Sequence, residues 1–467
     1  MQMVAPREIL AWLKALGEHW NNARLSRPRL VAKQQKKFRK LVAFVAENSP
    51  FYGDIIRRRG IDPSSCRPED FPELTKDRLN ENFDRIVTNP RITRQRISEF
   101  LAQSSNPTDL LDGAYHVLHT SGTTGTLGYF VYSHDEWIRG SSHSVRMGGL
   151  GFRKRVAYVA ATRGHFAGVS LALTGNHGTN ALFYNVRPFD VNTPLTQLVR
   201  ALNDFQPRVL SGYAAILKVL GEAQERGHLQ VKPALLGSGG EPMPPEVRSY
   251  LERVFQAPVA DVYASSEHLH MGLGFPGTDG MYLMEDDLIF ELHDDHICVT
   301  NLFNYTTPLI RYRMDDVLIP ETNGRRIYPF TKIKGVIGRY EDVLTFTNKY
   351  GLEDFIHPIV IVELVIKGLN AWQVVLLNDS SFLFKARFET SLGYDEKRAA
   401  RARLNERLEA ILAEKDMDNV RFHVQEVDAL PVDERTGKFR LVVRNGQATL
   451  AANRYPGPHK VFALAAV

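Results

Sequence analysis

A loop rich in hydroxyl groups is the most distinctive chemical feature of this 467-residue sequence. Residues 120–126 read Thr-Ser-Gly-Thr-Thr-Gly-Thr, which puts four hydroxyls within the five residues from Thr120 to Thr124. An apolar run at 115–118 and a β-prone run at 129–132 predict two strands joined by a tight turn. Glycines allow close approach to a ligand, and successive N–H groups in such turns favour anions. The loop is therefore either a phosphate cradle or an ordinary turn, and it lacks the Gly-Lys-Ser/Thr of a Walker loop.

Two carboxylates follow small-residue turns at the ends of two predicted strands. Strand 234–237 leads into Ser238-Gly239-Gly240-Glu241, and strand 258–263 leads into Ala264-Ser265-Ser266-Glu267. Taken singly, each glutamate suits a helix cap or a solvent-facing acid. Because the carboxyl ends of parallel strands meet at one edge of a sheet, their joint placement favours a shared ligand site.

The elements that must position these residues alternate along the middle of the chain. Predicted helices and strands follow one another at 135–147, 155–160, 195–204, 208–210, 214–226, 234–237, 245–255 and 258–263. This alternation predicts an α/β domain with largely parallel sheets. Ahead of it, the apolar spacing over 7–47 predicts helices that stop at Asn48-Ser49-Pro50.

The last part of the chain has a different pattern. From residue 281, the period-2 runs at 288–292 and 296–300 predict a small antiparallel β-region. Strands at 372–377, 382–388 and 419–426, with a long charged helix at 395–414, then predict a small α+β domain. The predicted fold class is therefore α/β plus α+β, with a large N-terminal domain and a small C-terminal one.

Composition narrows the class of protein. With 43% apolar and 24% charged residues, the chain reads as a globular protein, and no run approaches the length of a transmembrane helix. The net charge of +5 is spread along the chain, so neither a nucleic acid nor a membrane is expected as a partner. Cys66 and Cys298 form no CxxC pair, which argues against a disulfide framework or a zinc module and favours a cytoplasmic location.

Taken together, the motifs resemble the adenylate-forming enzymes, the superfamily of acyl- and aryl-CoA ligases. Six stretches carry the resemblance in order: Thr120 to Gly125, Gly239 to Glu241, Tyr263 to Glu267, Arg311 to Asp316, Gly338 to Asp342 and Pro431 to Lys438. Four N-terminal stretches look like the phenylacetate–CoA ligase branch, which includes coenzyme F390 synthetase-like proteins: Glu47 to Tyr52, Gly60 to Asp62, Glu69-Asp70 and Leu74 to Asp77.

The resemblance implies a site for Mg²⁺ and ATP. Phosphate contacts would come from the hydroxyl loop, through Ser121, Gly122, Thr123, Thr124 and Gly125, with Thr123 also catalytic. Glu267 would hold Mg²⁺, since carboxylate oxygens suit that ion. Lys438 would bridge the α-phosphate and the substrate carboxylate, where preorganised positive charge stabilises the transition state. The family loop usually continues with a lysine that Thr126-Leu127-Gly128 lacks here, so hydroxyls and backbone alone would hold the phosphates.

The remaining nucleotide contacts also follow from the resemblance. The backbone of Gly240 and Glu241 and the ring of Tyr263 would enclose adenine, with Ser266 beside them. Asp316, assisted by Arg339, would accept hydrogen bonds from the ribose hydroxyls.

The acyl pocket is read from six positions: His165, Phe166, Tyr213, Ser238, Gly239 and Ala264. Phe166 and Tyr213 suit an aromatic acid, and they suit an ordinary core equally well. His165 is expected to gate the pocket or to serve the structure, because adenylation needs no general base.

The implied activity is an AMP-forming acid–thiol ligase that consumes ATP and transfers the acyl group to CoA. The implied domains are 1–337 for adenylation, a hinge at 338–342 with Glu341 as its acid, and a mobile lid at 343–467 that carries Lys438. One alternative hands the acyl group to an amine, an amino acid or a carrier protein. Another is a non-catalytic nucleotide-binding relative. A homodimer is left open.

Overall fold

A computed structural model of the chain describes two compact units. The described residues are 6–120, 127–148, 153–162, 164–275, 278, 280–321, 327–337, 344–356, 360, 366, 368–428, 430 and 442–444. The first unit holds the described residues of 1–120, 127–191 and 196–340, and the second holds those of 192–195 and 341–467. Because the expected hinge at 338–342 lies outside the described residues, the domain bounds stay a prediction. Among the helices that are described, none is long and apolar enough to cross a membrane.

The first unit begins with three helices: α1 (Pro6–Asn22), α2 (Arg27–Asn48) and α3 (Pro50–Arg59). The predicted stop at Asn48-Ser49-Pro50 is confirmed, because Ser49 caps the end of α2 and its side chain accepts from the Tyr52 amide at the start of α3. Gly60 then ends α3 with a left-handed φ of 63°, a conformation that glycine adopts without strain. Phe38 of α2 is fully buried and belongs to the main core.

Short helices and a hairpin come next: α4 (Lys76–Glu81), α5 (Phe83–Ile86), α6 (Arg94–Gln103), β1 (Tyr115–His119), β2 (Tyr129–Ser133), α7 (His134–Ser141) and α8 (Val145–Gly148). The two strands pair antiparallel, with His119 opposite Tyr129. This pairing confirms the two strands predicted on either side of the hydroxyl loop. The loop itself, at 121–126, lies outside the described residues.

A nine-stranded mixed sheet forms the centre of the first unit. Its strands are β3 (Lys154–Ala160), β4 (Tyr184–Asp190), β5 (Val209–Gly212), β6 (Leu235–Gly239), β7 (Val259–Ser265), β8 (Leu269–Leu273), β9 (Met281–Leu283), β13 (Val317–Pro320) and β14 (Lys332–Ile337). The order is β13-β14-β9-β8-β7-β6-β5-β3-β4. Strands β3 to β7 run parallel, which confirms the prediction for β3, β5, β6 and β7, whereas β4 was not predicted. Helices supply the long crossovers that parallel strands need. Those helices are α9 (Ala167–Leu173), α10 (Leu195–Phe205), α11 (Ala214–Glu225) and α12 (Pro245–Phe255).

A second, three-stranded antiparallel sheet contains β10 (Leu288–Leu292), β11 (Ile297–Asn301) and β12 (Tyr312–Met314). The predicted small β-region is therefore present, although β9, β13 and β14 extend the large sheet instead of joining it. An N-terminal segment adds to its edge: the Leu74 amide donates to the Arg311 carbonyl at 2.9 Å, and the Arg313 amide donates to the Leu74 carbonyl at 3.0 Å.

The second unit has the α+β composition that its sequence predicts. Its elements are β15 (Leu344–Thr347), β16 (Glu353–Ile356), β17 (Leu369–Asn378), β18 (Ser381–Phe388), α13 (Tyr394–Glu414), β19 (Arg421–Glu426) and β20 (Val442–Arg444). The four-stranded sheet has the order β19-β18-β17-β20, and α13 contributes Leu404 and Leu408 to its core. Lys415 and Asp354 form a buried ion pair at 3.0 Å that ties the end of α13 to β16.

Candidate active site

The carboxyl ends of β6 and β7 lie side by side, as the predicted parallel sheet requires. Gly239, the last residue of β6, is paired with Val262 of β7. Glu241 and Glu267 each follow the end of their strand by two residues. The sheet therefore brings both small-residue turns to one edge, and ligands of α/β sheets bind at such an edge.

The side chain of Glu241 has a structural partner. Its Oε2 accepts a hydrogen bond from the Ala215 amide at 3.0 Å, at the first turn of α11. A carboxylate stabilises this end of a helix because the first amides have no partner within the helix. The helix-cap interpretation of Glu241 is thus correct for its side chain, and the expected adenine contact would depend on its backbone.

Gly240 lies against the ring of Tyr213. Its backbone φ of 82° is one that residues with a side chain rarely adopt, and an added Cβ would lie 2.9 Å from the Tyr213 Cε1 atom. Both facts require glycine here, where the backbone passes close to an aromatic ring. Two expected pocket residues, Tyr213 and Ser238, lie at adjacent strand ends. Gly212 of β5 pairs with Ser238 of β6, and Tyr213 is the next residue after Gly212. Ser238 is buried, and within the described part of the chain its hydroxyl has no hydrogen-bond partner.

Tyr263 and Asp316 are brought together from different strands. The Tyr263 hydroxyl donates to Oδ2 of Asp316 at 2.7 Å. Burial and the nearby Asp316 charge raise the pKa of Tyr263 well above its usual range, so the phenol stays a neutral donor. The resemblance assigned both residues to one nucleotide site, and the structure places them in direct contact.

Glu267 is a buried carboxylate with raised proton affinity. Burial raises its pKa, while a hydrogen bond from Ser265 and the charge of Lys76 lower it. Lys76 is half-buried at the start of α4; burial lowers its pKa and Glu267 raises it. Sequence analysis did not select Lys76, although it belongs to the stretch Leu74 to Asp77 that carried the resemblance.

Ser266 fixes the strand that leads into the hydroxyl loop. Its hydroxyl donates to the His119 carbonyl at 3.1 Å, at the end of β1, and its own carbonyl accepts from Tyr132 at 2.8 Å. Ser266 thus holds the end of β1 in place, and its predicted nucleotide contact stays a prediction. The residue connects the turn after β7 with the segment that enters residues 121–126.

His165 and Phe166 lie beside the end of β1. The His119 amide donates to the His165 carbonyl at 3.1 Å, and the His119 ring packs against Phe166 with centroids 4.4 Å apart. His165 is buried, with its Nε2 3.2 Å from the Ser104 hydroxyl. Burial, and then His119, lower the pKa of His165, so its ring is neutral and suits the expected structural role. His119 is a further residue of this region that the sequence did not single out.

Of the remaining expected site residues, the structure describes some and leaves eight outside the described residues. Ala264 lies on β7 opposite His270, half-buried, between Tyr263 and the turn. Eight expected site residues lie outside the described residues: Ser121, Gly122, Thr123, Thr124, Gly125, Arg339, Glu341 and Lys438. Their roles stay predictions.

Comparison with known proteins finds a family match over part of this chain. Residues 62–285 match the family model of the AMP-binding enzymes, a span that contains the hydroxyl loop, Glu241, Tyr263 and Glu267. This stretch of the chain is an AMP-binding enzyme domain.

The chain is similar to two particular proteins in sequence and to a solved ligase in structure. The chain is 25% identical over 351 residues to Protein CapK of Staphylococcus aureus, covering 68% of this chain and 69% of that protein. It is 24% identical over 348 residues to a phenylacetate-coenzyme A ligase of Thermus thermophilus, covering 68% and 72%. A solved 2-hydroxyisobutyryl-CoA ligase, in complex with 2-HIB-AMP and CoA, aligns with a TM-score of 0.60 and 21% identity over 91% of this chain and 92% of that one. At this identity the structural likeness shows a shared fold.

Proposed function

We propose that this protein is an AMP-forming ligase that activates a carboxylic acid with Mg²⁺ and ATP and passes the acyl group to coenzyme A. The observation that carries the proposal is the grouping of Tyr263, Asp316 and Glu267 at one edge of the large sheet, in a chain with an AMP-binding enzyme match. The names of the phenylacetate-coenzyme A ligase relative and of the CoA ligase with a shared fold support the choice of acceptor.

The nucleotide would lie along the ends of β6 and β7. The carboxylate of Asp316 is an acceptor suited to ribose hydroxyls, and the Tyr263 hydroxyl holds one of its oxygens in place. The Tyr263 ring and the backbone at Gly240 would enclose adenine. Gly240 suits this role because it has no side chain to occupy the space beside Tyr213.

Glu267 fits a magnesium ion by its chemistry. Burial raises the pKa of its carboxyl, which means that the described residues around it supply less positive charge than a buried anion requires. A bound divalent cation would supply that charge and would offset the negative charge of the ATP phosphates. The loop at 121–125 would contact the phosphates, and Lys76 adds a half-buried positive charge close to Glu267.

The reaction has two steps. A substrate carboxylate oxygen attacks the α-phosphorus of ATP and pyrophosphate leaves, which gives the acyl-adenylate. The CoA thiol then attacks the acyl carbon and AMP leaves. Lys438 would stabilise the charge of the first step, and Glu341 would mark the hinge about which the lid turns between the steps.

The test is carboxylate-dependent exchange of labelled pyrophosphate into ATP, measured over a panel of aromatic and aliphatic acids. We expect exchange with a subset of the panel, since exchange requires the adenylation step alone. Absence of exchange with every acid contradicts the proposal. The active acid is then incubated with CoA or with amines, and formation of the amide in place of the thioester would assign the other acceptor.

Lys438→Ala separates the two steps. We expect exchange to fall by about 100- to 1,000-fold, as when a preorganised electrostatic contact is removed. Transfer from chemically supplied acyl-adenylate to CoA should continue, while the exposed-lysine control Lys232→Ala should support both steps. Equal loss of both steps in Lys438→Ala would mean that the lysine serves the structure.

A further inference from the structure

Four potential metal ligands from two distant parts of the chain converge at the three-stranded sheet. One ligand atom from each of Glu73, His293, His296 and Cys298 lies within 4.8 Å of every other. Tetrahedral zinc with these donor types separates its ligand atoms by about 3.3 to 3.8 Å, so closing by about 1 Å would complete the geometry. None of these four residues has a role in the proposed reaction.

The hairpin between β10 and β11 arranges three of the four residues. The His293 amide donates to the His296 carbonyl at 3.0 Å, which closes the turn. The two imidazole rings stack with centroids 4.4 Å apart and an interplanar angle of 13°. Cys298 follows on β11 and is fully buried, with its sulfur within 4.8 Å of a Glu73 carboxylate oxygen. The pairing of Leu74 with β12 brings Glu73 to the same place.

His296 is oriented as a metal-binding histidine. Its Nδ1 lies 2.7 Å from Oδ1 of Asp295, so the carboxylate accepts the Nδ1 proton and leaves the Nε2 lone pair as the donor. The side chain is 9% exposed, with Nε2 3.6 Å from Oε1 of Glu73. Within the described part of the chain, this buried Nε2 has no hydrogen-bond partner. A buried ring nitrogen without a partner is unfavourable unless a ligand satisfies it.

The nearby arginines leave Glu73 available. Arg311 makes its close contacts with Glu291, with Nε 2.9 Å from one oxygen and a terminal nitrogen 2.8 Å from the same atom. Its distance to Glu73 is 3.9 Å, and that of Arg313 is 3.8 Å. Both distances exceed those of a hydrogen bond, so the Glu73 carboxylate keeps acceptor capacity for a cation.

We propose that Glu73, His293, His296 and Cys298 form a structural zinc site that ties the segment before α4 to the three-stranded sheet. Imidazole, thiolate and carboxylate are the donors that zinc takes, and four protein ligands close the coordination shell, as in structural sites. The exposed His293 gives the ion a path from solvent. Binding requires the thiolate, so the Cys298 proton leaves to solvent as the bond between zinc and sulfur forms.

The zinc site would stiffen two segments that lead to the proposed nucleotide site. Glu73 precedes Lys76 by three residues, and Cys298 is paired with Arg313 of β12, three residues before Asp316. The expectation that the chain has no zinc module was drawn from the absence of a CxxC pair. One cysteine is enough here because strand pairing supplies the other ligands.

A second cluster in the first unit, His19, His143, Asp286 and Asp287, also brings ligand atoms together. It does not favour a metal, because Arg146 contacts Asp286 at 2.7 Å and Lys37 contacts Asp287 at 2.7 Å. Those cations already neutralise the carboxylates that an ion would need.

The direct test is metal analysis of the full-length, tag-free protein. After incubation with zinc and gel filtration, we expect about one zinc ion per chain by plasma mass spectrometry. Cys66→Ser, which changes the other buried cysteine, should retain the ion, and Cys298→Ser should lose it. Absence of zinc from the unaltered protein, or equal zinc in Cys298→Ser, overturns the site.

Two further measurements do not depend on how Cys298→Ser folds. Cobalt substitution of the unaltered protein should produce a thiolate charge-transfer band and the strong visible absorption of a tetrahedral ion. Asp295→Asn should weaken zinc binding by about 10- to 100-fold, as expected for a carboxylate that orients a ligating histidine. The matched control is the neighbouring exposed residue, Asp294→Asn. A cobalt spectrum without the thiolate band, or equal affinity in the two variants, contradicts the assignment. None of these readouts requires ligase activity.

Discussion

The first unit buries carboxylates in two regions, and their charges are compensated differently. In the segment after β9, Asp286 and Asp287 are almost completely buried. Arg146 contacts Asp286 at 2.7 Å, while Arg139 and Lys37 contact Asp287 at 2.6 Å and 2.7 Å. At the sheet edge, Glu267 is also buried, and among the described residues the half-buried Lys76 supplies a positive charge that acts on it.

The pKa directions express the difference. Burial acts to raise the pKa of Asp286 and Asp287, but the contacting cations outweigh it and hold both pKa values well below the usual range. Burial prevails at Glu267, whose pKa is raised. The comparison teaches that a buried acid with its cations inside the chain serves the fold, whereas an undercompensated one suits a cation that arrives with the substrate.

The largest expected effect concerns the compensated region. Asp286→Asn should lower the free energy of unfolding by about 3 to 5 kcal/mol, because it leaves Arg146 and its neighbours without their buried counter-charge. Denaturant unfolding measures it. The exposed control Asp204→Asn should change stability by less than about 0.5 kcal/mol. Equal stability of the two variants would contradict the claim that the compensated carboxylates stabilise the fold.

Glu267→Gln should have the opposite profile. Pyrophosphate exchange should fall by about 100-fold, since loss of the proposed metal ligand would forfeit several kcal/mol of transition-state stabilisation. Stability should be unchanged or higher, because the amide has no buried charge to desolvate. Glu246→Gln, on an exposed turn of α12, is the control for exchange. A loss of stability like that of Asp286→Asn would show that both regions serve the fold.

Tyr263→Phe tests the contact that defines the nucleotide edge. Removing a hydrogen bond to a charged group costs about 1.5 kcal/mol, which corresponds to a rise of about tenfold in the KM for ATP. The exposed tyrosine variant Tyr350→Phe should leave KM unaltered. If Tyr263→Phe also leaves KM unaltered, Asp316 needs no positioning by this hydroxyl.

The smallest effect is a difference in pH dependence. The folded-state pKa of Glu267 is raised, so its burial penalty is present at neutral pH and disappears as the pH falls through that pKa toward the unfolded value near 4.5. The stability difference between Glu267→Gln and the unaltered protein should therefore shrink on acidification. Asp286 has a depressed pKa, so its contribution persists above the unfolded value of 3.8 and is lost only below it. Denaturant titrations at several pH values test whether the two differences change in this order.

Much of the fold could be predicted from local pattern. The helix stop at Ser49-Pro50, the strands around the hydroxyl loop and the parallel strands β5 to β7 all follow from spacing and punctuation. Several strands were not predicted, among them β4, β8, β9 and β14, and two of them, β4 and β9, show why. Pro188 weakens the strand signal of β4, which the structure explains as an edge strand where proline is tolerated. The joining of β9 to β14 pairs Met281 with Ile333, and alternation alone cannot specify which sheet a strand enters.

The candidate site divides in the same way. Tyr263, Asp316 and Glu267 were selected from motifs, and the structure brings Tyr263 and Asp316 into contact. The local pattern did not separate Glu241 from Glu267, since both follow strand ends after small residues, and only the resemblance gave them different roles. The start of α11, which supplies the Ala215 amide, makes one of them a cap.

The sequence by itself determined the local chemistry: which residues carry hydroxyls and carboxylates, and where helices and strands begin and end. These features depend on backbone conformation and on neighbours a few residues away. Only the tertiary structure decided which buried acid is compensated and which side chains meet. Glu73 and Cys298 are more than 200 residues apart, and strand pairing through Leu74 and β12 closes that distance. Because charge compensation and ligand geometry depend on contacts across such distances, local spacing could not reveal them.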